Sequence, residues 1–141
     1  MVLVGLPASG KSSWAQTRGV DPLSSDAIRQ TLADDATDQS IHARVFATLR
    51  YLIRHRLAIG RHVTYVDATH LTREERAPYK KIADAYGCDL EAIYFDTPLD
   101  ECLKRNQARE RVVPEEAIRA MAAKLVAPSA EEGFHKVTVI R

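Results

Sequence analysis

The chain has 141 residues, enough for one domain that buries about two-thirds of the surface its unfolded chain exposes. Its 20 lysines and arginines against 19 aspartates and glutamates leave a net charge of +1, which argues against a broad electrostatic grip on nucleic acid but leaves room for a local phosphate pocket. No apolar stretch approaches the ~20 residues that span a membrane, no signal-peptide pattern precedes the first motif, and neither the two cysteines nor the five histidines have metal-ligand spacing, so a reduced, cytoplasmic protein without membrane contact is expected.

In chain order, Met1 to Val4 is a short apolar run that reads as a buried parallel strand. Gly5-Leu6-Pro7-Ala8-Ser9-Gly10-Lys11-Ser12 follows and fits G-x-x-x-x-G-K-[ST], the phosphate-binding loop between a strand and a helix. Its glycines let successive backbone N–H groups turn toward one anion, and a helix from Ser12 to Arg18 adds its positive end. In such a loop Lys11 reaches the β- and γ-phosphates of an NTP and the Ser12 hydroxyl holds Mg²⁺.

A short second strand is expected around residues 20–24, weakened by Pro22, and Ala27 to Leu32 reads as helical. Asp34 to Asp38 is turn-like, and a long helix runs from Gln39 to Ile59 with Ile41, Val45, Leu49, Leu52, Ile53 and Leu57 on one face, ended by Gly60. His62 to Asp67 reads as a third buried strand. Thr72-Arg73-Glu74-Glu75 is a capping-box pattern opening a helix to Tyr86, which either kinks at Pro78 or begins there. Leu90 to Asp96 is a fourth strand, Thr97-Pro98 caps a helix carrying Cys102, Leu103 and Arg105, and a helix from Pro114 runs to Val126. Val137 to Ile140 is a fifth strand. With no internal repeat or linker, residues 1–141 form a single domain. Alternating strands and helices predict an α/β fold, a three-layer sandwich around a five-stranded parallel sheet. Ligands in such sheets bind beyond the carboxyl ends of the strands, so the loop, Asp26, Asp67 and Asp96 should share one rim.

Phosphoryl transfer needs a group to take the nucleophile's proton and cations to neutralise developing charge. Asp26, just after the second strand, is either that base or a helix N-cap, a position aspartate favours, and Arg29 lies one turn further on the same face. Asp67 ends a strand as a magnesium-orienting acid would, acting through water. His70 reads as a loop-surface residue. Arg105 and Arg109, four apart, share a helix face in a segment (roughly 105–126) placed to close as a small helical lid over a donor nucleotide. Arg50, Arg54, His55, Arg56, Arg61 and His62 read as the wet face and end of the long helix.

Gly5 to Ser13, Ser24-Ser25-Asp26 with Arg29, Asp34-Asp35 with Asp38-Gln39, Val66-Asp67-Ala68-Thr69, Arg105-Asn106 with Arg109, and Glu132-Gly133-Phe134 together resemble the bacterial polynucleotide 5′-kinase domain, of the polynucleotide kinase-phosphatase family. The resemblance spans nearly the whole chain. It implies a P-loop kinase-type fold and transfer of the γ-phosphate of ATP, or another NTP, to the 5′-OH end of DNA or RNA, as in nucleic-acid end repair. It further implies that Ala8, Ser9, Gly10, Lys11, Ser12, Ser13 and Arg109 bind the nucleotide. Asp26 would act as base, with Lys11 and Arg105 on the transferring phosphoryl group, Arg29 and Gln39 on the acceptor, and Mg²⁺ at Ser12 and, through water, Asp67. His70 departs from the asparagine usual in that family. Relatives often carry phosphatase or ligase modules, for which 141 residues leave no room, so the chain is expected to stand free or to be one domain of a longer enzyme. Two alternatives stay open: a small-molecule kinase for a sugar, nucleotide-sugar or antibiotic, and a nucleotide-dependent binding module that transfers to nothing.

Overall fold

The computed structural model describes residues 1–141. Strand β1 (Val2–Val4) is fully buried at the centre of an all-parallel sheet ordered β2-β3-β1-β4-β5, where β2 is Leu23–Ser24, β3 is Val66–Asp67, β4 is Glu91–Phe95 and β5 is Lys136–Ile140. A strand covered on both faces needs apolar side chains at every position, which is why β1 reads as an unbroken run. Val2 and Val4 pack with Leu49 and Ile53 of α3 (His42–Ala58) and with Tyr79, Ile82 and Ala83 of α4 (Arg73–Tyr86). Leu3 faces the other way, grouped with Ile93, Phe95 and Trp14 of α1 (Lys11–Thr17). The expected three-layer α/β sandwich is therefore present, completed by α2 (Ser25–Ala33), α5 (Leu99–Gln107) and α6 (Glu115–Lys124).

The second and third strands are shorter than the sequence reading. Only Val66 and Asp67 of the 62–67 run form the strand, while the Val63 carbonyl and the Thr64 hydroxyl accept from Arg56 of α3. The long helix begins as a 3₁₀ turn (Gln39–Ile41) whose cap is Asp38, and Leu52 is 36% exposed rather than part of the buried Val45-Leu49-Ile53 stripe.

Helix α4 starts at Arg73, not at Pro78. Thr72 and Glu75 close a full capping box, and the Glu75 carboxylate also accepts the Leu71 N–H at 2.6 Å. An interior proline costs about 3 kcal/mol. Caps of this kind return about 1 kcal/mol, and the buried side of α4 supplies more. Helix α6 ends at Lys124, two residues short of the expected stop, where Leu125 turns extended and the Val126 N–H donates to the carbonyl of Leu71. No helix is long and apolar enough to cross a membrane.

Candidate functional site

Loop 5–10 bends away from the carboxyl end of β1, and its shape depends on side chains that are absent. A Cβ on Gly5 would lie 2.6 Å from Ser9 Oγ and 3.1 Å from Phe95 Cβ. Gly10 has φ 109°, and Ala8 is held in the left-handed region at φ 62°. Alternation of this kind aims backbone N–H groups into one concavity. Thr97 does not cap α5, as the sequence suggested. Its hydroxyl instead donates to the Ser9 carbonyl at 2.8 Å, tying the loop to the end of β4, and Pro98 takes the N-cap position.

Lys11 is 9% exposed, and its Nζ donates to the carbonyls of Gly5 and Leu6, both at 2.8 Å. Burial pulls its ammonium down to about 8, against the attraction of Asp67. The Asp67 carboxylate makes no hydrogen bond or ion pair with protein groups. Its burial raises its pKa, with Lys11 opposing that rise. The register pairs Asp67 with Leu3 on one side and Ser24 on the other, so the acid sits between the phosphate loop and the start of α2.

Asp26 is not the N-cap of α2. Ser24 is, with its Oγ accepting the Ala27 N–H, and Asp26 lies inside the first turn. This frees the Asp26 carboxylate for two guanidinium groups: Arg29 Nη1 on Oδ1 and Arg111 Nη2 on Oδ2, each at 3.1 Å. Arg29 is 4% exposed and its Nε has no partner. From the segment after β4, Arg105 is paired with Glu101 at 3.0 Å, and its Nη1 would lie 3.6 Å from a Cβ on Gly10. Arg109 keeps a buried Nη1 without a partner. Asn106 is fully buried and braces this segment by donating to the Val113 carbonyl at 2.7 Å and accepting the Val113 N–H at 3.0 Å.

The loop, the two acids and the arginines around them open on one crevice of about 1130 Å³ between the phosphate loop, α2, α3 and α6. Lys11, Ser12, Ser13, Asp26, Arg29, Gln39, Asp67, Arg105 and Arg109 line it, as do Ala8 and Gly10, whereas the buried Ser9 lies behind the loop. Asp96 ends β4 at the same rim but turns outward, accepting from Tyr94 Oη at 3.3 Å and pairing with Arg141 at 3.6 Å.

His70 overturns the surface reading. It is 2% exposed, with φ 51°, and its ring bridges the Leu3 carbonyl (Nδ1, 2.6 Å) and the Tyr79 hydroxyl (Nε2, 2.8 Å). The carbonyl requires a proton on Nδ1, so the tyrosine donates to Nε2. Burial lowers the ring to about 4 and raises Tyr79. Beneath it Arg76, 1% exposed, donates to the His70 carbonyl at 2.8 Å and forks onto Glu132 at 2.8 and 3.0 Å. Arg76 and Thr97 had no sequence signal, since a lone arginine in a helix and a threonine before proline read as surface and cap. Arg111 stood in the visible basic run, but nothing in its spacing pointed to Asp26.

No cluster of three histidine, cysteine, aspartate or glutamate side chains is present to hold a metal outright. Ser12 and the unpartnered Asp67 fit Mg²⁺, which binds through one or two protein groups plus phosphates and keeps several waters.

A family model for an AAA domain matches residues 1–128. The L-seryl-tRNA(Sec) kinase of Methanococcus maripaludis is 28% identical over 137 residues, covering 91% of this chain and 52% of that protein, so the chain spans about half the length of the curated relative it matches. A gluconokinase from Sinorhizobium meliloti 1021 superposes with a TM-score of 0.65 at 21% identity, over 99% of this chain and 79% of that one. A chain of the Pnkp1/Rnl/Hen1 complex gives 0.62 at 24% identity, over 80% and 39%. The Mycobacterium tuberculosis APS kinase CysC, in complex with AMPPNP and APS, gives 0.57 at 22%, over 98% and 86%. At such identities these structures establish the fold, which is that of P-loop kinases.

Proposed function

The chain belongs to the AAA domain family, and from the site this member carries we propose that it transfers the γ-phosphate of ATP, or another NTP, to a hydroxyl acceptor, the 5′-OH end of DNA or RNA. The observation that carries this reading is the Asp26 carboxylate, held by Arg29 in the same crevice as Lys11 and Ser12. A module that only binds nucleotide needs the loop but has no use for an oriented carboxylate and a buried, half-unpartnered arginine across from it. The seryl-tRNA kinase relative, by its name a kinase of an acceptor carried on a nucleic acid, supports this choice.

In this mechanism the loop N–H groups and Lys11 cradle the β- and γ-phosphates, with the ammonium exchanging the Gly5 and Leu6 carbonyls for phosphate oxygens. Arg105 and Arg109 neutralise charge from the lid side. Mg²⁺ at Ser12 and Asp67 would neutralise phosphate charge. Asp26 accepts the acceptor's proton, and Arg29, which lines the crevice, holds an anionic group of the acceptor while Gln39 contacts its body. Phosphatase or ligase modules, on the same protein or a partner, would act on the same nucleic-acid ends, a ligase consuming the phosphorylated one.

One feature favours a second reading. Arg111 closes across the crevice to Asp26 and to the Ala36 carbonyl, at 3.4 Å, which suits a small-molecule acceptor lodged under the lid. A single assay decides between them: transfer of labelled γ-phosphate to 5′-OH DNA, 5′-OH RNA, mononucleotides and sugars, by the wild type and Asp26→Asn. The first reading expects an oligonucleotide to be the best acceptor and a loss of about 10²–10⁴ in the variant. Transfer confined to sugars would refute the nucleic-acid acceptor, and full activity in Asp26→Asn would refute the base.

A further inference from the structure

We propose that Arg111 is a specificity-determining residue: it occupies the Asp26 carboxylate until an acceptor hydroxyl displaces it, and so keeps water from being phosphorylated. The inference rests on Asp26 being the base. Both carboxylate oxygens are taken, Oδ1 by Arg29 and Oδ2 by Arg111, but the two guanidiniums are held differently. The Arg29 side chain is 5% exposed and one turn away on the same helix. The Arg111 side chain is 38% exposed and arrives from 85 residues away, on the turn between α5 and α6. That turn is closed by two part-buried hydrogen bonds between Asn106 and Val113, so Arg111 can leave Asp26 without loosening α5, which carries Arg105.

An acceptor and a water molecule differ in what they bring to this contact. Binding energy from the non-reacting parts of an acceptor offsets the loss of the Arg111 pair, and water has no such parts. In the reaction Arg111 suppresses, the water oxygen bonds to the γ-phosphorus while the bond from that phosphorus to the β–γ bridging oxygen breaks. The water's proton passes to Asp26, and nucleoside diphosphate leaves. The same balance with an acceptor hydroxyl in place of water is the productive reaction.

The test measures ATP hydrolysis without acceptor, and transfer at saturating acceptor, for wild type, Arg111→Gln, Arg111→Lys, Asp26→Asn and the Asp26→Asn/Arg111→Gln double variant. Arg111→Gln is expected to raise acceptor-free hydrolysis about two- to fivefold, the range a half-exposed ion pair holds back. Its ratio of hydrolysis to transfer should rise by a similar factor. Arg111→Lys should restore most of the suppression, and on the Asp26→Asn background the arginine change should have no effect. Unchanged or reduced hydrolysis in Arg111→Gln overturns the proposal, and so does an equal rise in the double variant. The underlying reading fails separately, by full transfer in Asp26→Asn alone.

Discussion

Glu132→Ala should unfold this protein far more readily than its distance from the crevice suggests. Glu132 is the bidentate partner of Arg76, whose side chain is 1% exposed, and its second oxygen also accepts the Ser129 N–H at 3.0 Å. Removing one member of a buried pair leaves an uncompensated charge and costs about 3–5 kcal/mol. Domains have only about 5–15 kcal/mol of stability in all. For a chain of this size that loss lowers Tm by about 10–20 °C. Replacing both members, Arg76→Met with Glu132→Leu, removes the buried charge as well as its partner. The double variant should recover part of the loss. It stays about 1–3 kcal/mol short, because the buried His70 carbonyl loses its donor at 2.8 Å. Urea and thermal denaturation of wild type, Arg76→Met, Glu132→Leu and the double variant give the coupling energy directly, with Glu132→Ala measured beside them. A Glu132→Ala protein within about 1 kcal/mol of wild type would refute the reasoning, since it would mean that the guanidinium is solvated rather than buried.

Two pH dependences follow from burial. Lys11 titrates at about 8 when folded and near its ordinary 10.5 when unfolded. Between those values the unfolded chain binds more protons, so stability should rise with pH across that window, and Lys11→Met should remove the rise. Nucleotide phosphates need the charged form, so affinity for a non-hydrolysable ATP analogue, titrated from pH 7 to 9.5 (about the range to sample around such a group), should weaken above about 8. A flat affinity profile would refute the buried-ammonium reading. His70 titrates at about 4 folded against an ordinary 6.5. Its neutral ring therefore contributes stability that is complete above the unfolded value and is lost as pH falls toward the folded one, about 3 kcal/mol over the window. His70→Gln should lack that acid-side slope, and stability curves that run parallel for the two proteins would contradict it.

What the sequence revealed and what it hid divide along a physical line. The phosphate loop was legible because its chemistry is backbone chemistry: glycine at 5 is dictated by close approach, glycine at 10 by local φ and lysine at 11 by reach, all within eight residues. The sheet was legible for a related reason, since burial on both faces forces the apolar runs of β1 and β4. His70, Arg76, Thr97 and Arg111 acquire their partners from 67, 56, 88 and 85 residues away, and no periodicity encodes such pairs. His70 was misread because a polar residue three positions past a strand is ordinarily on the surface. Here the ring instead takes up the Leu3 carbonyl, and burying it there carries less penalty because both nitrogens are bonded. Asp96 failed the opposite test. It ends a strand at the correct rim, but the end of the edge strand β5 brings Arg141 to it and draws it outward.

The same division explains why donor and acceptor are unequally legible. One contiguous stretch, Gly5 to Ser13, forms the donor cradle, and its anion-binding geometry belongs to the backbone. In the function proposed above, the acceptor would meet the rest of the crevice wall: the start of α2, the turn at Ala36 and Thr37, Gln39, His42 and Phe46 around the start of α3, and Ala117, Met121 and Lys124 of α6. There His42 and Phe46 set two rings 4.7 Å apart against a mostly aliphatic face. Phe46 and Met121 of that wall pack on the core, but His42 and Lys124 are exposed and can exchange side chains without disturbing the sheet, so one P-loop scaffold can serve acceptors as different as those named for its structural neighbours. Fold and family therefore constrain the phosphate that leaves far more tightly than the hydroxyl that receives it. Substitutions at the exposed His42 should accordingly change acceptor preference while leaving ATP affinity alone, and a matching loss of ATP affinity would place that ring on the donor side instead.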